Sequence, residues 1–214
     1  QARFPAEVFK AMGKLGLMGM TVPQEWGGAG LDYVTYAMAL EEIAAGDGAV
    51  AIVLSGHNSV GCMPILEYGT QTQKERYLRP LAQGEILSAF ALTVAKGGSD
   101  AGALATRSVR DGDGYVINGD KQFITTGKNA DLTLVFAVTD PELGSKGISA
   151  FVVPTDTPGY EVMRVEKKMG QNASDTAQLA FNDMRVPLEA LLGEEGQGYR
   201  IALSNLEGGR IGIA

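Results

Sequence analysis

The sequence predicts an α+β multidomain fold. It comprises an all-α helical domain over 1–86, a middle antiparallel β-barrel-like domain over 87–192, and the start of a C-terminal helical bundle over 193–214. Three observations carry this. Apolar residues recur at helical spacing up to about Gly84, short alternating runs divided by turn residues fill the middle, and helical spacing returns after Val186-Pro187. The change of texture puts the first boundary at Gly84 to Leu87.

From Pro5 to about Leu15, Val8, Phe9, Met12 and Leu15 mark one helical face, with Pro5 suited to a first turn and Gly16 to a stop. Val22 to Gly30 holds one Pro, three Gly and Trp26, the only tryptophan, and reads as a loop. Trp26 is either a lid over a ligand or an anchor on the core. Leu31 to Ala45 and Ala49 to about Tyr68 are two buried helices by pattern. Thr70-Gln71-Thr72-Gln73 has capping-box spacing and opens a shorter helix to about Ala82. Beyond Glu85, the turn signals are Asp111 to Gly114, Asn118-Gly119, Pro141 to Gly147 and Thr155 to Gly159. Between them, Leu132 to Thr139, Ile148 to Val153, Tyr160 to Val165 and Gln178 to Phe181 read as strands. After Gly193 to Gly198, Tyr199, Ile201, Ala202, Leu203 and Leu206 are helical in period, with no cap and an unmatched apolar face, so a further domain is expected.

Composition narrows the function. The 214 residues carry a net charge of −7 and no basic stripe, which argues against a nucleic-acid groove. No apolar run is expected to approach the roughly 20 residues of a membrane helix, so a soluble protein is expected. Cys62 is the only cysteine, so no internal disulfide forms and a reducing compartment fits. His57 is also alone, which argues for core or loop hydrogen bonding and against a metal site.

Two stretches carry the candidate chemistry. Phe90 to Asp100 is a strand-like run ending in Gly97-Gly98-Ser99-Asp100, and Lys121 to Gly127 is a second run ending in hydroxyl-bearing residues. A Gly-Gly-Ser-Asp turn can gather backbone N–H groups into one anion-binding concavity, and an aromatic beside threonines suits a flat heterocycle. Taken singly, either stretch also fits a plain hairpin loop.

The chain further resembles the acyl-CoA dehydrogenases. The similarity is carried by Gly69 to Leu78, Ala91-Leu92-Thr93 to Gly98-Ser99-Asp100, Asn118 to Thr125, Lys168-Met169-Gly170 to Ser174-Asp175-Thr176, Val186-Pro187 and Gly193 to Gly198. The resemblance implies FAD contacts at Phe90, Leu92, Thr93, Gly98, Ser99, Phe123, Ile124 and Thr125. It implies acyl-CoA contacts at Ser99, Glu207, Gly208, Gly209 and Arg210, and no metal. Dehydrogenation of an acyl-CoA thioester to a trans-2-enoyl-CoA is implied, with electron-transfer flavoprotein as acceptor. So is a homotetramer or dimer for the intact protein, in a bacterial cytoplasm or mitochondrial matrix. The family's general-base glutamate usually lies in a C-terminal helical domain, so no catalytic base is expected in this chain. The chain alone is expected to bind flavin poorly and not to dehydrogenate. An acyl-CoA oxidase, a nitroalkane oxidase, or a non-catalytic binding protein on the same scaffold are the alternatives. Two departures bear on flavin binding: Val94-Ala95, followed by Lys96, stand where the family usually has Glu-Pro, and Asn172 stands where it usually has arginine.

Overall fold

The computed structural model describes residues 3–95, 97–98 and 100–214; Lys96 and Ser99, both singled out above, lie outside the described residues. Helix α1 spans Ala6–Lys14 and buries Phe9. Helix α2, Tyr33–Gly46, starts at Asp32, whose carboxylate accepts from the amides of Val34 and Thr35 at 2.9 Å each. Helix α3, Gly48–Gly56, is capped in the same way by Asp47, which accepts from Ala49 N at 2.8 Å and Val50 N at 3.1 Å.

The expected single helix from Ala49 to Tyr68 contains a widened π turn at His57–Cys62 before α4, Met63–Tyr68. A second π turn, Lys74–Leu78, separates α5, Gln71–Gln73, from α6, Arg79–Ala82. Each sits just upstream of a proline, Pro64 and Pro80. Proline has no N–H for the carbonyl four residues back and its ring crowds that carbonyl; the widened turn relieves both conflicts. The capping box at Thr70 is present, with Thr70 Oγ1 accepting from Gln73 N at 3.2 Å and Gln73 Oε1 accepting from Thr70 N at 2.9 Å.

One expectation needs correction: Gly48–Tyr68 forms 21 residues of helix with a mean hydropathy of 1.5, long and apolar enough to cross a membrane. In this fold 72% of its apolar window is buried inside the protein, and it serves as the core helix of the helical layer.

The strands are β1 Ser88–Ala91, β2 Arg107–Asp111, β3 Gly114–Thr125, β4 Leu132–Val138, β5 Ile148–Pro154, β6 Tyr160–Val165, β7 Thr176–Pro187 and β8 Leu191–Leu192. They form one sheet in the order β6-β7-β3-β2-β4-β5-β8. Most neighbours are antiparallel as expected, but the sheet is mixed: β4 shares one edge between β1, parallel over Ser88–Ala91, and β2, parallel at Arg107 and Val138. Asn118-Gly119, expected as a turn, lies inside β3 opposite a bulge in β7: Ile117 pairs with Met184 and Gly119 with Phe181, so Asn182 and Asp183 face Asn118, and Gly119 takes φ 131°.

Strand β4 is buried on both faces. Leu132, Leu134 and Phe136 pack with Cys62, Ile65, Leu78, Leu81 and Ile201 from the helices, whereas Val135 and Ala137 pack with Phe151, Val153, Leu179 and Phe181. Its uninterrupted apolar run follows from that placement. Trp26 belongs to the first of these clusters, with Lys74 and Arg79 over its ring at 5.9 and 5.6 Å. It anchors its loop on the core rather than covering a ligand.

Candidate active site

Helix α7, Gly198–Ile213, crosses the helical layer beside the π turn at His57–Cys62. Between α7, α3, the π turn, β1 and the end of β3 lies a cleft of about 520 Å³. Ile52, Val53 and Val60 supply its apolar wall, and Ser55, Ser59, Ser88, Thr125 and Thr126 its hydroxyls. That combination of apolar wall and few polar groups suits a small organic ligand.

Of the residues implied as flavin contacts, Phe90, Phe123 and Thr125 line this cleft. Phe123 is 60% exposed and sits at φ 58°, a left-handed conformation disfavoured for an aromatic residue. Leu92 and Ile124 do not line the cleft; they are buried in the two cores, at 7% and 2% exposure. Thr93 and Gly98 lie outside the lining, although Gly98 is exposed and, among the described residues, an added Cβ there would meet only Thr93 Cγ2, at 3.9 Å. Of the implied acyl-CoA contacts, Gly209 and Arg210 line the cleft, and Glu207 and Gly208 do not. A Cβ placed on Gly209 would meet Ser59 Oγ at 3.4 Å and Val60 Cγ1 at 3.6 Å, so residue 209 faces the π turn directly. Among the described residues no carboxylate lines the cleft.

Composition and spacing did not single out the helical wall. Ser59 and Val60 reach the cleft from the π turn and Ser55 from the end of α3, and the turn's only sequence signal is Pro64, two residues beyond its end. His57 is in the wall too, fully buried, with Nε2 2.9 Å from the Leu81 carbonyl and Nδ1 3.3 Å from Ser88 Oγ. Burial pushes the ring pKa down to about 4, so the neutral ring donates to Leu81 and accepts from Ser88. Cys62, fully buried, has its thiol pushed far up by desolvation and is a packing residue.

The cleft thus has the walls of a small-molecule site, with an exposed aromatic and hydroxyls on the sheet side and apolar residues on the helical side. Family comparison gives the class of protein. The acyl-CoA dehydrogenase N-terminal domain matches residues 1–85 and the acyl-CoA dehydrogenase middle domain matches residues 89–184. The chain belongs to the acyl-CoA dehydrogenase family. It is 49% identical over 211 residues to an acyl-CoA dehydrogenase of Bacillus subtilis, covering 99% of this chain and 56% of that protein. It is also 49% identical over 212 residues to the mitochondrial short-chain specific acyl-CoA dehydrogenase of Bos taurus, covering 99% of this chain and 52% of that protein. The structure of butyryl-CoA dehydrogenase from Megasphaera elsdenii superposes with a TM-score of 0.96 at 42% identity, over 99% of this chain and 56% of that one. The chain thus spans about half the length of the curated relatives it matches.

Proposed function

We propose that this chain forms the flavin-binding and acyl-binding walls of a short-chain acyl-CoA dehydrogenase. The observation that carries it is the convergence of Phe90, Phe123 and Thr125 from the β domain with Ser59, Gly209 and Arg210 from the helices on one cleft. The residues fit FAD: an exposed aromatic held out by a strained bulge offers a ring face, Thr125 offers a hydroxyl, and the open backbone at Gly98 offers an amide to phosphate. When bound, the flavin supplies the hydride acceptor for the β-hydrogen. The chain's own part is to hold the acyl group against Ile52, Val53 and Val60, exclude water from it, and meet the CoA arm at Arg210. The α-proton goes to a carboxylate outside the described residues, because none of them brings one into the cleft. Electron-transfer flavoprotein as acceptor and assembly into a homo-oligomer belong to the same proposal and rest on the resemblance.

The test is an anaerobic visible spectrum of the chain after FAD and then butyryl-CoA are added. Flavin that binds and stays oxidised supports both the site and the missing base. Bleaching overturns the placement of the base, and failure of FAD to bind at any accessible concentration overturns the site.

A further inference from the structure

Strand β3 pairs with β7 on both sides of residues 122 and 123 but not at them: the register runs to Lys121 opposite Leu179 and resumes at Ile124 opposite Ala177. The bulge turns Phe123 outward, and it also frees the Gln122 amide from the ladder. That amide donates instead to the Thr93 carbonyl at 2.9 Å. One residue earlier, Lys121 makes the parallel contact with its side chain, Nζ donating to the Leu92 carbonyl at 2.9 Å from a fully buried position. Successive residues of the second stretch thus hold successive carbonyls of the first.

A buried lysine is a costly way to fill space, because the ammonium loses its hydration and a methionine of similar length would not. Here the amine is pushed down to about 7 by that burial, opposed only in part by neighbouring Asp120, and among the described residues no carboxylate pairs with it. What Lys121 gains is a backbone carbonyl at the start of the loop that leads to Gly98.

We propose that Lys121 is a positioning residue of the flavin site. Its bond to Leu92, acting with the Gln122–Thr93 bond, fixes the end of the Phe90 stretch against the Phe123 bulge, so that both stretches present one continuous wall. This rests on the flavin reading above. The Gln122 bond attaches the loop at Thr93, ahead of the buried Val94. The side-chain bond from the adjacent residue supplies the second point of attachment.

The test compares Lys121→Met, which keeps length and apolar bulk but removes the donor, with Leu179→Ala, which loosens packing across the same strand pair and leaves both bonds. Backbone hydrogen exchange at Gln122, thermal midpoint and FAD affinity by fluorescence are measured for both and for the unaltered chain. At pH 7, Lys121→Met is expected to keep its midpoint, to exchange Gln122 at least about tenfold faster, and to bind FAD at least about tenfold more weakly. Leu179→Ala is expected to lower the midpoint while FAD affinity changes less than about threefold. Unchanged exchange at Gln122, or FAD affinity within about twofold of the unaltered chain, overturns the proposal. Equal affinity losses in the two variants make Lys121 merely structural and also overturn it. Absence of FAD binding by the unaltered chain overturns the premise instead, and is recognised before any variant is compared.

Discussion

Acidification should unlock the junction between the helical layer and the sheet at His57. The ring bridges the two parts: Nε2 donates to the Leu81 carbonyl at 2.9 Å, and Nδ1 accepts from Ser88 at 3.3 Å from its hydroxyl and 3.4 Å from its amide. Only the neutral ring can donate on one side and accept on the other. Its pKa in the folded protein is depressed from 6.5 to about 4 by burial. The unfolded chain therefore takes up a proton below about pH 6.5 and the folded chain does not until about pH 4, so this stabilisation is full above 6.5 and is lost as pH falls toward 4. At about 1.4 kcal/mol per unit, the loss at pH 5 is about 2 kcal/mol. The assay is urea unfolding at pH 7 and pH 5 for the unaltered chain and for His57→Gln, which keeps a donor toward Leu81 but has no titrating ring. Carboxylates contribute to acid sensitivity in both proteins and cancel in the difference. A stability difference between the two proteins that stays constant from pH 7 to pH 5 would refute the reasoning.

The amine of Lys121 runs on a different window: depressed from 10.5 to about 7, it contributes stability that is full above 10.5 and lost as pH falls to 7. Relative to Lys121→Met, the unaltered chain should gain about 2 to 3 kcal/mol between pH 7 and pH 9 in the same urea assay. Gly198→Ala should lower stability by about 1 to 3 kcal/mol, because its Cβ would lie 2.6 Å from the Ser149 carbonyl carbon; thermal unfolding reads this directly. Gly46→Ala meets nothing within 4 Å at the end of α2 and should raise stability by up to about 1 kcal/mol in the same measurement. Asp47→Ala removes the cap accepting from Ala49 and Val50, with an expected cost of about 1 kcal/mol by urea unfolding.

Periodicity made the layered plan legible because each element has one dominant burial requirement. The helix α2 begins at Asp32 and the short helices at Thr70 because those side chains compete for orphan amides, a local effect written in the residues. Strand β4 announced itself as an apolar run because both its faces are covered. Asn118-Gly119 misled because residues that make a tight turn also fit a strand whose partner bulges opposite them, and only the partner strand decides which. The site was half legible. Phe90, Phe123 and Thr125 sit in stretches whose residue types suggest a ligand, whereas Ser55, Ser59 and His57 owe their place to the path of α7 over a widened helical turn, a non-local arrangement. Lys121 passed unnoticed because a lysine in a strand reads as a solvated charge until its burial is seen.

Helix α7 packs through the buried side chains of Ile201 and Ala202, and at three glycines its backbone also comes close to its neighbours. An added Cβ at Gly198 would strike the backbone of β5, one at Gly209 would stand in ordinary contact with Ser59 and Val60, and one at Gly212 would come within 2.6 Å of the Tyr36 hydroxyl. Side-chain contacts act as compressible gaskets whose thickness drifts as sequences diverge, but at these seats one partner is bare helix backbone. The height of Arg210 above the cleft floor is then gauged in part by the β5 backbone and by the hydroxyls of Ser55, Ser59 and Tyr36, which ordinary exchange among aliphatic residues does not remove.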